Sequence, residues 1–212
     1  LFQEGKLHTN INQSIIIINQ KNIIMKKTLI TLTLCGLTLI AKAQNTSVEK
    51  STFGLQTGVL GIWAYNEAKL SNAIALRTEI GFDFGIWETT FYDEYDSPFL
   101  LTPVIVVEPR FYYNLEKRSK NSKRIDGNSG NFIALKMGYH PDWFVLFNTD
   151  DAPVVSDFSI IPTLGIRRNI GKHFNYEAGL GAGFSYTFAK RAGYLKNKSE
   201  MELNMHLRIG YR

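Results

Sequence analysis

Hydrophobic and polar positions alternate along most of the chain. Between residues 175 and 188, Tyr176, Ala178, Leu180, Ala182, Phe184, Tyr186 and Phe188 share one face. Glu177, Gly179, Gly181, Gly183, Ser185 and Thr187 share the other. A period of two with unlike faces predicts a half-buried strand. Residues 201–212 repeat the scheme, with Met201, Leu203, Met205, Leu207, Ile209 and Tyr211 opposite Glu202, Asn204, His206, Arg208, Gly210 and Arg212. Further strands are expected over residues 74–86, 102–115, 133–140 and 158–170, where Ile161 and Arg168 break the alternation. Residues 53–65 give a weaker, glycine-rich first strand. Turns are expected at residues 65–69 and 169–173, and longer connections at 88–98, 140–156 and 190–200.

Seven strands result, and a closed bacterial barrel of one chain has an even number. An eighth is therefore expected, from residues 143–155 or 45–50. The fold predicted is all-β: a single antiparallel up-and-down transmembrane β-barrel of about eight strands. The choice of solvent rests on the polar faces. They combine Gly, Ser and Thr with charges of both signs, which suits a narrow lumen that must pack and pair its ions. The opposite faces carry aromatics towards strand ends (Trp63, Phe111, Tyr113, Tyr139, Tyr176, Tyr186, Phe188 and Tyr211), as membrane-interface girdles do. The competing arrangement is a soluble barrel with an aromatic core.

Residues 25–44, MKKTLITLTLCGLTLIAKAQ, interrupt the strand pattern. A basic start, an uncharged apolar run and a final A-K-A before Gln44 have the order of a secretory signal peptide. The run is shorter than the roughly 20 residues of a membrane-spanning helix. Leu34 precedes Cys35 inside the run, so a lipoprotein signal is not expected. The organisation read is residues 1–24 as an upstream extension, 25–43 as the signal peptide and 44–212 as one barrel domain. The full chain has a formal net charge of +5. Residues 1–43 hold five lysines and one acid, which leaves 19 basic and 18 acidic residues in the remainder. That balance gives no support for nucleic-acid binding. Cys35 is the only cysteine, so the domain has neither a disulfide framework nor a cysteine metal site.

Candidate chemistry is sparse. His140 and His206 are the histidines with catalytic interest, with Ser159 and Ser185 as partners by composition only. No nucleophile elbow or spaced triad accompanies them, and no second histidine stands at metal-ligand spacing. Gly179-x-Gly181-x-Gly183 has period two and lacks the lysine of a phosphate loop. The residues read instead as a lumen ion network are Arg77, Glu79, Glu108, Arg110, Lys136, His140, Arg167, Glu177, Glu202, His206 and Arg208. The basic run at residues 116–124 reads as a solvated turn, and the acidic aromatic stretch 91–96 as a solvated outer loop or a partner- or cation-binding one.

The signal ending in A-K-A-Q, the strands and the last segment LNMHLRIGYR resemble small outer-membrane β-barrel proteins of Gram-negative bacteria. The segments LLTPVIVVEPRFYYNL, GYHPDWF and IIPTLGIRRNIGKHFNYEAGLGAGF look like uncharacterised barrel proteins of Bacteroidota. Such chains commonly end on an aromatic residue, whereas here Tyr211 is followed by Arg212. The resemblance implies export through the Sec pathway, an outer-membrane location, contact with outer-membrane lipid and handling by the barrel-assembly machinery, with no cofactor. The function expected is non-enzymatic: a structural or partner-binding role through extracellular loops, the partner being unspecified. The alternatives are an outer-membrane enzyme modifying lipid or lipopolysaccharide, and a secreted soluble barrel binding a small apolar ligand.

Overall fold

A computed structural model describes residues 46–86, 99–148 and 155–212. The expected features at residues 1–45 and the loop at 91–96 lie outside these. Eight long antiparallel strands, each paired to the next in chain order and the last to the first, close on themselves. They are β1 (Ser51–Gly58), β2 (Gly61–Lys69), β3 (Ile74–Ile86), β4 (Phe99–Tyr112), β5 (Asn131–His140), β7 (Asp157–Ile170), β8 (Phe174–Thr187) and β9 (Lys198–Tyr211). The fold is thus an all-β up-and-down barrel. Its even strand number puts residues 46–50 and Arg212 at one end, called here the terminal end; the opposite end is the loop end.

The eighth strand comes from a place other than the two expected. Residues 53–65 are not one strand but parts of two, β1 and β2, folded at Val59-Leu60 with Gly58 paired to Gly61. Gly61 has φ of +155°, and a Cβ there would fall on the backbone of Phe82, so glycine is needed at this corner. The turn expected at residues 65–69 is instead the second half of β2, and the chain turns at 70–73. Among the described residues of 143–155 a two-residue strand, β6 (Phe147–Asn148), forms; it extends the edge of β4 rather than adding a stave. Leu115, read as the end of a strand, begins a short helix, α1 (Leu115–Lys120), where a solvated turn was expected.

Three prolines lie inside strands, each at a gap in a ladder. Pro162 falls between the pairs Ile160↔Phe184 and Thr163↔Gly181 of β7 and β8. Pro109 falls between Val107↔Met137 and Arg110↔Ala134 of β4 and β5. Pro103 lies between the part of β4 paired to β6 and the part paired to β5. A residue without an N–H is tolerated where the ladder asks for none.

The faces are inverted relative to a barrel with an oily core. Met201, Leu203 and Met205 are 74%, 73% and 75% exposed, while Arg77, Arg167, Glu67 and Glu177 are fully buried. Most outward positions on β7, β8 and β9 are apolar and exposed. One expected outward aromatic is misplaced: Trp63 points inward and is 4% exposed, because the Gly58–Gly61 turn sets its face. At the terminal end a small apolar cluster of Val48, Ala75, Tyr112, Leu115, Phe132 and Ala134 closes the barrel beneath α1.

Candidate functional site

The lumen is built outward from glycine. Tyr65 lies across Gly54, Phe132 across Gly165 and Trp63 across Gly81, each ring over the glycine directly paired with it on the next strand. A Cβ at Gly81 would come within 2.7 Å of the Trp63 ring, and one at Gly165 would overlap the Phe132 ring. The repeated inward glycines are therefore slots that let aromatic rings lie flat against the wall. An arginine stacks on each ring: Arg77 at 4.0 Å from the Tyr65 centroid, Arg110 at 4.2 Å from Phe132 and Arg208 at 3.9 Å from Trp63. Cation–π contact holds each guanidinium in place.

Carboxylates fill the space between the guanidiniums. Arg110 donates from both terminal nitrogens to Glu177 at 2.8 Å and also to Glu108 at 2.8 Å. Arg208 donates to both oxygens of Glu79 at 3.0 and 2.9 Å, and Arg77 donates to the same carboxylate. Arg167 donates to Glu67 at 2.7 Å, and Tyr112 Oη to the other oxygen of Glu67 at 2.7 Å. Arg77 also donates to Gln56, which in turn donates to Asn175 at 3.0 Å. Four arginines and four glutamates thus neutralise one another in a space closed to water. Charges buried on this scale persist only when paired and hydrogen-bonded.

The connection between β4 and β5 reaches into this network. Asn128, with φ of +58°, is fully buried and donates to Glu67 at 2.6 Å. Its own Oδ1 accepts from the backbone N–H of Glu49 at 2.8 Å. Arg124 grips Asp126 through two nitrogens at 3.0 and 2.7 Å, and Arg212 donates to Asp126 at 2.6 Å. The lead-in residues before β1, the connection and Arg212 are so locked over the terminal end.

The loop end of the lumen is looser. Asp83 accepts from Trp63 Nε1 at 2.6 Å, and His140 bridges Asp83 at 3.2 Å and Asp157 at 3.0 Å. The side chains of Asp83 and His140 are 24% and 14% exposed. Lys136 reaches Asn204 at 3.5 Å, and Glu202 faces the same space beside Asp157 and Lys136.

Of the eleven residues expected in the network, Arg77, Glu79, Glu108, Arg110, Arg167, Glu177 and Arg208 meet in the closed half. His206 sits at its edge, 3.5 Å from Glu177. His140, Lys136 and Glu202 lie apart, in the loop-end half. Glu67, the carboxylate touched by three network arginines, was missed because residues 65–69 read as a turn. Its place in the period-two series Trp63, Tyr65, Glu67 was the signal. Asp157 was missed because it precedes the strand boundary read at Phe158.

The histidines do not make a hydrolytic pair with the candidate serines. Both His140 ring nitrogens face carboxylates, and Ser159 and Ser185 face each other across β7 and β8. Among the described residues, no cluster of His, Cys, Asp and Glu has metal-binding geometry. No family model, no curated protein and no solved structure matches this chain. What is established is the class: a closed eight-stranded antiparallel barrel with buried salt bridges inside.

Proposed function

We propose that this chain is a non-enzymatic outer-membrane β-barrel, with residues 25–43 serving as its Sec signal. The observation that carries the reading is the inversion of its faces: apolar side chains such as Met201, Leu203 and Met205 lie outside and the arginines and glutamates inside. In water each exposed large apolar side chain forgoes about 1.5–3 kcal/mol of burial. In lipid that cost disappears, and along the paired strands the ladders satisfy the backbone. Strands of 13 and 14 residues exceed the roughly 9–11 that a tilted strand needs to cross.

The ion-paired lumen is a packed core and not a pore, so solute passage is not its role. The work falls to the loop end, where the long connections would meet an extracellular partner. Lipid and the barrel-assembly machinery are the partners this reading implies; nucleic acid is not among them. The test is extraction and mobility. Expressed with its signal, the protein should leave the membrane fraction only with detergent and show heat-modifiable migration in gels. A monomer that stays dispersed in detergent-free buffer overturns the proposal.

A further inference from the structure

The two ends of the barrel differ in charge. At the terminal end, residues 46–50, 69–73, 113–130, 168–173 and 212 hold ten lysines and arginines against three acidic residues. By sequence, the connections at the loop end (residues 87–98, 141–156 and 188–197) hold seven acidic residues against three basic ones. The near-balance of charge over the whole domain therefore hides an asymmetry along the barrel axis.

Part of the basic excess is engaged within the protein. Lys120 pairs with Glu116 at 2.6 Å, Arg124 and Arg212 share Asp126, and Arg118 donates to the carbonyl of Arg124 at 2.9 Å. Lys50, Lys117, Lys123 and Lys172 are exposed, and their ammonium groups have no partner among the described residues. They are spread round the rim: Lys50 leads into β1, Lys117 and Lys123 lie between β4 and β5, and Lys172 lies between β7 and β8. Exposed aromatic side chains stand close to them in sequence. Phe53, Tyr113, Phe174 and Tyr211 are each more than half exposed, and Phe174 and His173 pack on the Tyr211 ring at 5.4 and 5.5 Å.

We propose that the terminal end is a basic collar that holds the phosphates of anionic phospholipids, with Lys50, Lys117, Lys123 and Lys172 as its free charges. The proposal rests on the membrane reading and adds the lipid class to it. Aromatic rings at the edge of an apolar belt mark the level of lipid head groups. Ammonium groups just beyond them meet phosphates there, and each lysine near an anionic surface favours it by about fivefold. Charges spread round a rim suit a continuous ring of head groups better than one compact protein partner. A lysine ammonium is a point charge on a flexible stem, so it follows a mobile phosphate without a fixed geometry.

The experiment reconstitutes the full barrel into phosphatidylcholine vesicles carrying traces of spin-labelled lipid, whose immobilised fraction reports lipid at the barrel wall. Averaged over that ring, a phosphatidylglycerol probe should be enriched about threefold or more over a phosphatidylcholine probe in low salt. The preference should fade in molar salt, where the screening length falls to about 3 Å. Lys50→Gln, Lys117→Gln, Lys123→Gln and Lys172→Gln, combined, should bring the two probes close to parity. If that variant does not fold by heat-modifiable migration, Lys117→Gln with Lys172→Gln replaces it and should lower the preference. Lys190→Gln with Lys196→Gln, at the loop end, should leave the preference intact. Equal association of the two probes with the parent, a preference unchanged in the folded collar variant, or one lost in the loop-end variant overturns the proposal. So does a preference abolished by glycerol phosphate at constant ionic strength, which assigns the collar to a soluble phosphate ester. Immobilisation of neither probe is a separate outcome: it overturns the membrane reading itself, and the collar with it.

Discussion

The two halves of the lumen solve the same problem differently. In the terminal half every arginine stands on an aromatic ring or against a glutamate, and Arg77, Arg167, Glu67 and Glu177 are fully out of contact with solvent. In the loop half the ions are fewer, His140 links two aspartates, and Asp83 keeps 24% of its side-chain surface. The difference follows strand length. β1 and β2 span 8 and 9 residues against 13 or 14 for β3, β4, β7, β8 and β9, so their hairpin walls only the terminal half. The same side-chain types thus serve as a sealed core in one half and as a solvent-facing lining in the other.

Removing one carboxylate should separate the halves most sharply. Glu177→Ala takes from Arg110 its two-pronged partner, leaving it Glu108, and takes a neighbour from Arg77 and Arg167 in a dry space. A buried pair broken from one side costs about 3–5 kcal/mol. Asp83→Ala, in the half where water reaches, should cost less, about 1–3 kcal/mol for the hydrogen bonds of Trp63 and His140. Urea unfolding of the detergent-solubilised barrel measures both. Equal losses would mean that the two halves are equally sealed.

A smaller effect tests the wall beneath the ions. Gly165→Ala places a Cβ where the Phe132 ring lies, and the ring carries Arg110 above it. Overpacking of this kind costs about 1–3 kcal/mol. Gly171→Ala is the control: a Cβ there meets nothing within 4 Å, although φ of +62° adds modest strain. The pair of variants compared by unfolding midpoint should rank Gly165→Ala as the more damaging. If Gly165→Ala is silent, the glycine slots are not what seats the aromatic layer.

How much of this was legible depends on range. Period-two alternation marked β3, β4, β5, β7, β8 and β9 because each keeps one apolar and one polar face over 10 to 14 residues. It failed at Gly58-Val59-Leu60-Gly61, where an apolar hairpin tip flanked by glycines looked like continued strand. That one error hid Glu67 and turned Trp63 outward. The network membership of seven residues was readable from charge on inward positions. Their pairing was not: Arg208 meets Glu79 across 129 residues of sequence, a contact fixed only by barrel closure. The entry of Asn128 into the lumen was also hidden, since it depends on a positive-φ turn within a polar connection.

The smallest effect lies outside the lumen, at the clamp over the terminal end, and pH isolates it. The bidentate grip of Arg124, with help from Arg212 and Asn169, holds the Asp126 carboxyl below the ordinary aspartate range. A carboxylate whose folded value is lowered stabilises the fold above its unfolded value, and that contribution is lost as pH falls through the folded value. Asp126 is about two-fifths exposed, so screening by solvent limits its worth to below about 1 kcal/mol. Asp126→Asn should therefore lower the unfolding midpoint slightly at neutral pH. The gap between parent and variant should close as pH drops below the ordinary aspartate range, where both carry a neutral side chain. A gap that persists in acid assigns the clamp to backbone and amide hydrogen bonds, such as those of Asn169, rather than to its charge. The contrast with the sealed half would then be one of packing alone, because the closure over the terminal end would hold without its ions.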